Sequence, residues 1–149
     1  MPQCVCYQFA TPIASFADIE ARCGASCELA PFLVELAVDP RSWMSVHKCR
    51  ECGSLWAREY PFSEQHGGGP PCYYAIRTDD PNTWLSENAG ITYGIRERNE
   101  DLAFIESLGD EIGPDTCRRP DCEHKRIKLS VFCRSHHFQM IKGRPCPET

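Results

Sequence analysis

"SWMSVHKCRECGSLWAREY", from Ser42 to Tyr60, is the stretch on which the fold turns. "SWMSVHK" and "SLWAREY" read as strands on either side of the knuckle "CRECG". A third strand, "CYYAIRT" from Cys72 to Thr78, follows the loop "HGGGPP". In the knuckle a C-x2-C pair, Cys49 and Cys52, is followed by Gly53. The turn aims both sulfurs at one point, and glycine permits the backbone geometry. Strand, knuckle, strand and third strand form the pattern of a zinc ribbon, so the expected fold is α+β: a small zinc-ribbon-like antiparallel sheet packed by helices.

Helical patterns flank this centre. Ser15, with Asp18 three positions on, reads as a capped start, and Gly24 as a stop. A second helical pattern covers Glu28 to Ala37, and Pro40 closes the region. Beyond the strands, Asp80-Pro81 is a cap followed by a first-turn proline. "RERNEDLAFIESLG" places Leu102, Ile105 and Leu108 on one helical face, with Gly109 after the last turn. "GDEIGPD" then reads as a linker. Two regions result: a body, 1–113, and a tail, 114–149.

The chain of 149 residues carries a net charge of −5, unevenly spread. From Cys117 onward there are 8 Lys/Arg against 3 Asp/Glu, and before it 8 against 18. Bound zinc thiolates would add about −1 for a Cys3His site and about −2 for a Cys4 site, which leaves an acidic body and a basic tail. The longest apolar run, "LAPFLVELAV", is interrupted by Glu35 and falls short of the roughly 20 residues that cross a bilayer. The first twenty residues do not look like a signal peptide. A cytoplasmic protein with no membrane partner is expected.

Eleven cysteines are many for such a chain, and the odd number forbids complete internal pairing. In a reducing compartment clustered thiols point to metal. The tail spacing is C-x4-C-x10-C-x2-H, through Cys117, Cys122, Cys133 and His136. Ile127, Leu129 and Val131 alternate with polar residues as in a half-buried strand, and "CRSHHFQMIKG" reads as a helix ending at Gly143. Four N/S donors converging from a turn and a helix end suit tetrahedral zinc. His136 is expected over His137 because C-x2-H is the tighter helical pair, which leaves His137 to pack or support.

Cys49 and Cys52 supply only two ligands. Cys23 and Cys27 of "CGASC" are the favoured completion to a Cys4 site; "CVC", Cys4 and Cys6, and the local pair His66 and Cys72 are the alternatives. About two structural zinc ions per chain are expected.

The tail "CRRPDCEHKRIKLSVFCRSHHFQMIKGRP" resembles the short Cys-Cys-Cys-His motifs of plant regulatory proteins, including the WRC domain and the small finger attached to some WRKY proteins. That resemblance implies metal roles for Cys117, Cys122, Cys133 and His136, and contacts with nucleic acid or protein. "HKCRECGSLWAREYPFSEQHGGGPP" resembles small bacterial immunity-like zinc-ribbon proteins, which implies a partner-binding protein, such as one that neutralises a toxin, without catalytic residues.

Enzyme signatures are incomplete. "HGGG", His66 to Gly69, resembles an oxyanion loop, but no G-x-S-x-G elbow accompanies it. The zinc deaminase signature is missing. The HNH nuclease pattern lacks its Asp-His pair, since His124 follows Glu123. Asp79-Asp80 and Asp110-Glu111 read as turn caps. The expectation is therefore a non-catalytic zinc-binding protein that acts by protein–protein recognition, an immunity-type or adaptor protein. A nucleic-acid-binding regulator using the basic tail is the alternative, and a metal-dependent nuclease the third reading.

Overall fold

The computed structural model describes residues 3–147, apart from residues 65 and 89 and the side chain of His66. The chain divides into two compact units, 1–96 and 97–149.

The first unit is built on a four-stranded antiparallel sheet in the order β1-β2-β3-β4, comprising Leu33–Val38, Ser45–Cys49, Leu55–Glu59 and Cys72–Ile76. The last three strands lie where the sequence places them, and the fold is α+β. The knuckle closes β2 onto β3: the Cys49 N–H donates to the Ser54 carbonyl at 2.9 Å and the Gly53 N–H to the Cys49 carbonyl at 3.0 Å. Gly53 has φ +77°, a conformation that side chains with a β-carbon rarely adopt.

Strand β1 departs from expectation. The Glu28–Ala37 stretch is not helical throughout: a 3-10 turn over Ala25–Phe32 leads directly into β1. Pro31 lies in that turn, and inside an α-helix its ring would clash with the carbonyl four residues back and its missing N–H would leave that carbonyl without its bond. Pairing with β2 from Leu33↔Cys49 to Val38↔Ser45 then satisfies backbone groups that a lone helix end would leave open.

Strand alternation sends side chains to two faces. On one, Cys49, Trp56 and Tyr73 pack with Cys6 and Leu29 from the N-terminal segment, against Val5, Phe9 and Phe32. On the other, Ala37, Val46 and Met44 pack with Leu85, which comes from helix α2, Pro81–Glu87. Both helices of this unit start on the caps the sequence announces. Helix α1, Phe16–Arg22, opens on a capping box in which Ser15 and Asp18 satisfy each other's backbone N–H. At α2 the Asp80 carboxylate accepts from Asn82 and Thr83. Helix α3, Ile91–Ser107, begins in the first unit and ends in the second.

In the second unit Phe138, fully buried on helix α4 (Arg134–Lys142), packs on Phe104 with ring centroids 6.0 Å apart, and Ile105 and Ile127 are buried as well. The Arg144 guanidinium pairs with the buried Asp101 carboxylate and extends over the Phe138 ring. Gly143 ends α4 in the left-handed conformation, as expected.

The half-buried strand expected around Ile127–Val131 does not form. Ile127 is buried, but Leu129 is 92% exposed, and the segment turns back on itself through Ser130 N–H to the Ile127 carbonyl. An extended run advances about 3.3 Å per residue. Such a run would carry Cys133 away from Cys122, whereas the loop returns the two sulfurs to within 3.9 Å.

Candidate metal centres

In the second unit Cys117, Cys122, Cys133 and His136 bring one donor atom each to within 4.8 Å of all the others. A small antiparallel bridge, Thr116↔Lys125, and the Cys117 N–H to His124 carbonyl bond of 2.8 Å shape the turn that carries the first two. Cys133 is the N-cap residue of α4, and His136 follows in its first turn. The His136 Nδ1 lies 3.3 Å from the Cys117 Sγ and 3.3 Å from the Cys133 Sγ.

These spacings fit a metal tetrahedron. With zinc–sulfur bonds of about 2.3 Å and zinc–nitrogen bonds of about 2.0 Å, the edges would be roughly 3.8 Å between sulfurs and 3.5 Å between sulfur and nitrogen. A sulfur pair at 3.9 Å is far from the roughly 2.05 Å of a disulfide. His137 stands apart: its Nδ1 bonds the Ser130 hydroxyl at 2.8 Å and steadies the return loop.

Ionisation in the cluster is uneven. Burial opposes charge on Cys117, yet the backbone N–H groups of Cys133 and Arg119 and the His136 ring hold its thiol down at about 6. Burial pushes Cys133 up to about 11, with the neighbouring thiols adding to the effect. Sulfurs packed this closely resist sharing negative charge until a cation neutralises them.

The second cluster corrects one expectation. Cys49 and Cys52 are joined by Cys4 and Cys6, again within 4.8 Å of one another, and not by Cys23 and Cys27. Cys6 is buried in the core face beside Cys49, and the 3-10 turn Cys6–Phe9 folds the N-terminus over the sheet. The Ser54 hydroxyl, 3.1 Å from the Cys52 sulfur, holds that thiol at about 6. Burial drives Cys6 upward, reinforced by the Cys52 and Cys49 thiols.

Cys23 is drawn elsewhere. It terminates α1, and the Gly24 N–H donates to the Pro71 carbonyl at 3.2 Å, so its sulfur meets that of buried Cys72. Their contact lowers Cys23 and, with burial, raises Cys72. Cys27 is exposed in the 3-10 turn. The expected alternative through His66 lies outside the described residues, while Cys72 belongs to no four-donor group among them. The "CVC" spacing was the legible signal for the true partners.

Each cluster can hold one zinc ion, two in all. Zinc there would neutralise clustered thiolates and cross-link segments distant in sequence. Asp80 caps α2, and Glu111 accepts from the Arg134 N–H at 3.1 Å and meets the His124 ring at 3.2 Å. No helix among the described residues is long and apolar enough to cross a membrane.

Compared with known proteins, the chain matches no family model, no curated relative and no solved structure.

Proposed function

We propose that this chain is a non-catalytic zinc protein that recognises a protein partner, with a zinc-ribbon-like body and a Cys3His zinc-finger tail. One observation carries the reading: each cluster assembles four soft donors around one point. A closed tetrahedron of that kind suits a structural ion, whereas catalytic zinc keeps a position for water or substrate. The metal's binding energy would then be folding energy.

Charge favours an adaptor or immunity-type role over nucleic-acid binding. Residues 1–96 carry 11 Asp/Glu against 7 Lys/Arg, and residues 97–149 carry 10 against 9. Basic groups of the tail are already engaged within their own unit: Arg144 with Asp101 and Glu97, Arg126 with Asp115, His124 with Glu111. The second reading, a nucleic-acid-binding regulator, draws on Arg118, Arg119, Lys125 and Lys128, all exposed in the segment that carries Cys117 and Cys122.

Elemental analysis of the purified chain tests the first reading, with two zinc ions per chain expected; a metal-free, fully folded protein would overturn it. Gel shifts with RNA and DNA at two salt concentrations separate the readings. Binding that weakens steeply with salt would favour the second.

A further inference from the structure

One face of the first unit has a feature that neither zinc cluster uses. A cavity of about 420 Å³, within the usual range for small-molecule sites, opens between β3, the turn before β2 and the start of α3. Trp43, Met44, Glu59, Tyr60, Thr92 and Tyr93 line it.

Glu59 sits in its wall and is only 3% exposed. Its two oxygens are in different situations. Oε2 accepts from the Thr92 backbone N–H at 2.8 Å and the Thr92 hydroxyl at 2.5 Å, which anchors the first turn of α3. Oε1 is buried without a hydrogen-bond partner. The Tyr74 hydroxyl and the Ile91 backbone N–H lie near enough to favour the carboxylate, but neither meets hydrogen-bonding geometry with Oε1. A buried carboxylate oxygen without a donor is costly, so a donor supplied from outside would be rewarded.

Glu59 contributes to the cavity wall, and Gly90 beside it lines the cavity as well. Gly90 has φ +88°, and a β-carbon there would come within 3.2 Å of Oε1. Trp43 takes φ +59°, a region that bulky residues rarely enter, and its side chain is 62% exposed. The turn holding it is tightly built: Asp39 accepts from the Arg41 N–H and the Ser42 hydroxyl, and the Trp43 N–H donates to the Asp39 carbonyl at 2.9 Å. Tyr93 is 52% exposed. Both rings border the cavity whose wall includes Glu59. Aromatic faces beside a carboxylate attract an organic cation from both sides of its charge.

We propose that this cavity binds a compact, singly charged organic cation, a primary ammonium or guanidinium group, which donates to Glu59 Oε1 between the rings of Trp43 and Tyr93. Arg41 stands exposed at the rim and disfavours polycations. Burial holds the free Glu59 carboxyl above its ordinary range, and a bound cation takes the place of its proton, which leaves to water. This site stands apart from the zinc reading, since its residues contribute to neither cluster.

The test titrates the zinc-loaded full chain with n-butylammonium, n-butylguanidinium and n-butanol, following the Trp43 indole N–H resonance by NMR. Saturable shifts with the two cations, at least roughly tenfold tighter than with the alcohol, are expected from a charge-assisted bond. Glu59→Gln keeps an acceptor for Thr92 and removes the charge, so cation affinity should fall roughly tenfold to the alcohol's level. Equal binding of cation and alcohol, no saturation with either cation, or unchanged affinity in E59Q would overturn the proposal. Should E59Q fail to fold, Trp43→Ala decides, because that side chain is exposed: affinity must drop several-fold, and an unchanged value overturns the site. A blocked Gly-Lys-Gly peptide added as a further arm distinguishes the source. Tighter binding than n-butylammonium identifies a lysine side chain of another protein, and weaker binding identifies a free amine.

Discussion

The His136 Nδ1 stands 3.3 Å from the Cys117 Sγ although 19 positions separate the two residues in the chain. Only a chain that folds back on itself brings them together, and the return is made by the loop that His137 steadies through Ser130. Adjacent histidines therefore have separate duties. His136→Ala should leave one zinc per chain, while His137→Ala keeps two. Elemental analysis of both variants checks this, and a loss of zinc in the second alone would reverse the assignment.

The same measurement separates the cysteines of the first unit. Cys6→Ser removes a donor buried beside Cys49, so one zinc should remain. Cys23→Ser and Cys27→Ser should each retain two, because neither sulfur joins a four-donor cluster among the described residues.

Chelation should affect the two units unequally. The sheet unit has a core that includes Ile19, Leu29, Val46 and Trp56, whereas the second unit relies on few buried side chains, chiefly Ile105, Ile127 and Phe138. Domains this small commonly need a metal or another staple. In His136→Ala, amide NMR signals from about residue 111 onward should collapse towards random-coil positions while those of β2, β3 and β4 stay dispersed. Retention of dispersion in both would contradict a folding role for the tail ion.

Phe138 fills the centre of the second unit at zero exposure, between the Phe104 ring and the Arg144 guanidinium. Phe138→Ala should cost about 3–5 kcal/mol, the usual range for emptying such a site. By comparison, Asp80→Ala, which removes the α2 cap, should cost about 1 kcal/mol. Denaturant titration of the zinc-loaded variants gives both values.

Glu59 should mark stability with a pH signature. Burial raises its folded-state pKa above the unfolded value of about 4.3. Below that value both states are protonated and the contribution is fully present. As pH rises through the folded pKa, the unfolded chain ionises freely and the contribution is lost. Wild-type stability minus that of Glu59→Gln should therefore fall as pH rises above the unfolded value of about 4.3. A flat difference would mean that the carboxylate ionises without penalty. Acid effects on the zinc ligands are common to both proteins and cancel.

Much of this was legible in advance, and what was legible is local. The Ser15 and Asp80 caps, the knuckle glycine, the strands on either side of the knuckle and the Gly143 stop each depend on residues within a few positions of one another. The spacing in the tail also named Cys117, Cys122, Cys133 and His136, because a turn pair and a helix-start pair are two local motifs that need only meet. The misread stretches are those where distant partners overruled local pattern. Glu28–Ala37 has helical spacing, but the open edge of β2 takes its second half as a strand. Ile127–Val131 alternates as a strand does, but closure between Cys122 and Cys133 bends it into a turn.

By itself, then, the order of residues determined where helices and strands begin and that thiols would gather in two places. Which thiols gather around Cys49 and Cys52, and that the buried carboxylate of Glu59 would help to wall a cavity bordered by aromatic rings, was decided only by tertiary structure. The reason is one of range. Caps and turns act through hydrogen bonds over three or four residues, whereas a ligand set or a cavity wall is whatever the folded path of the whole chain brings within a few ångströms.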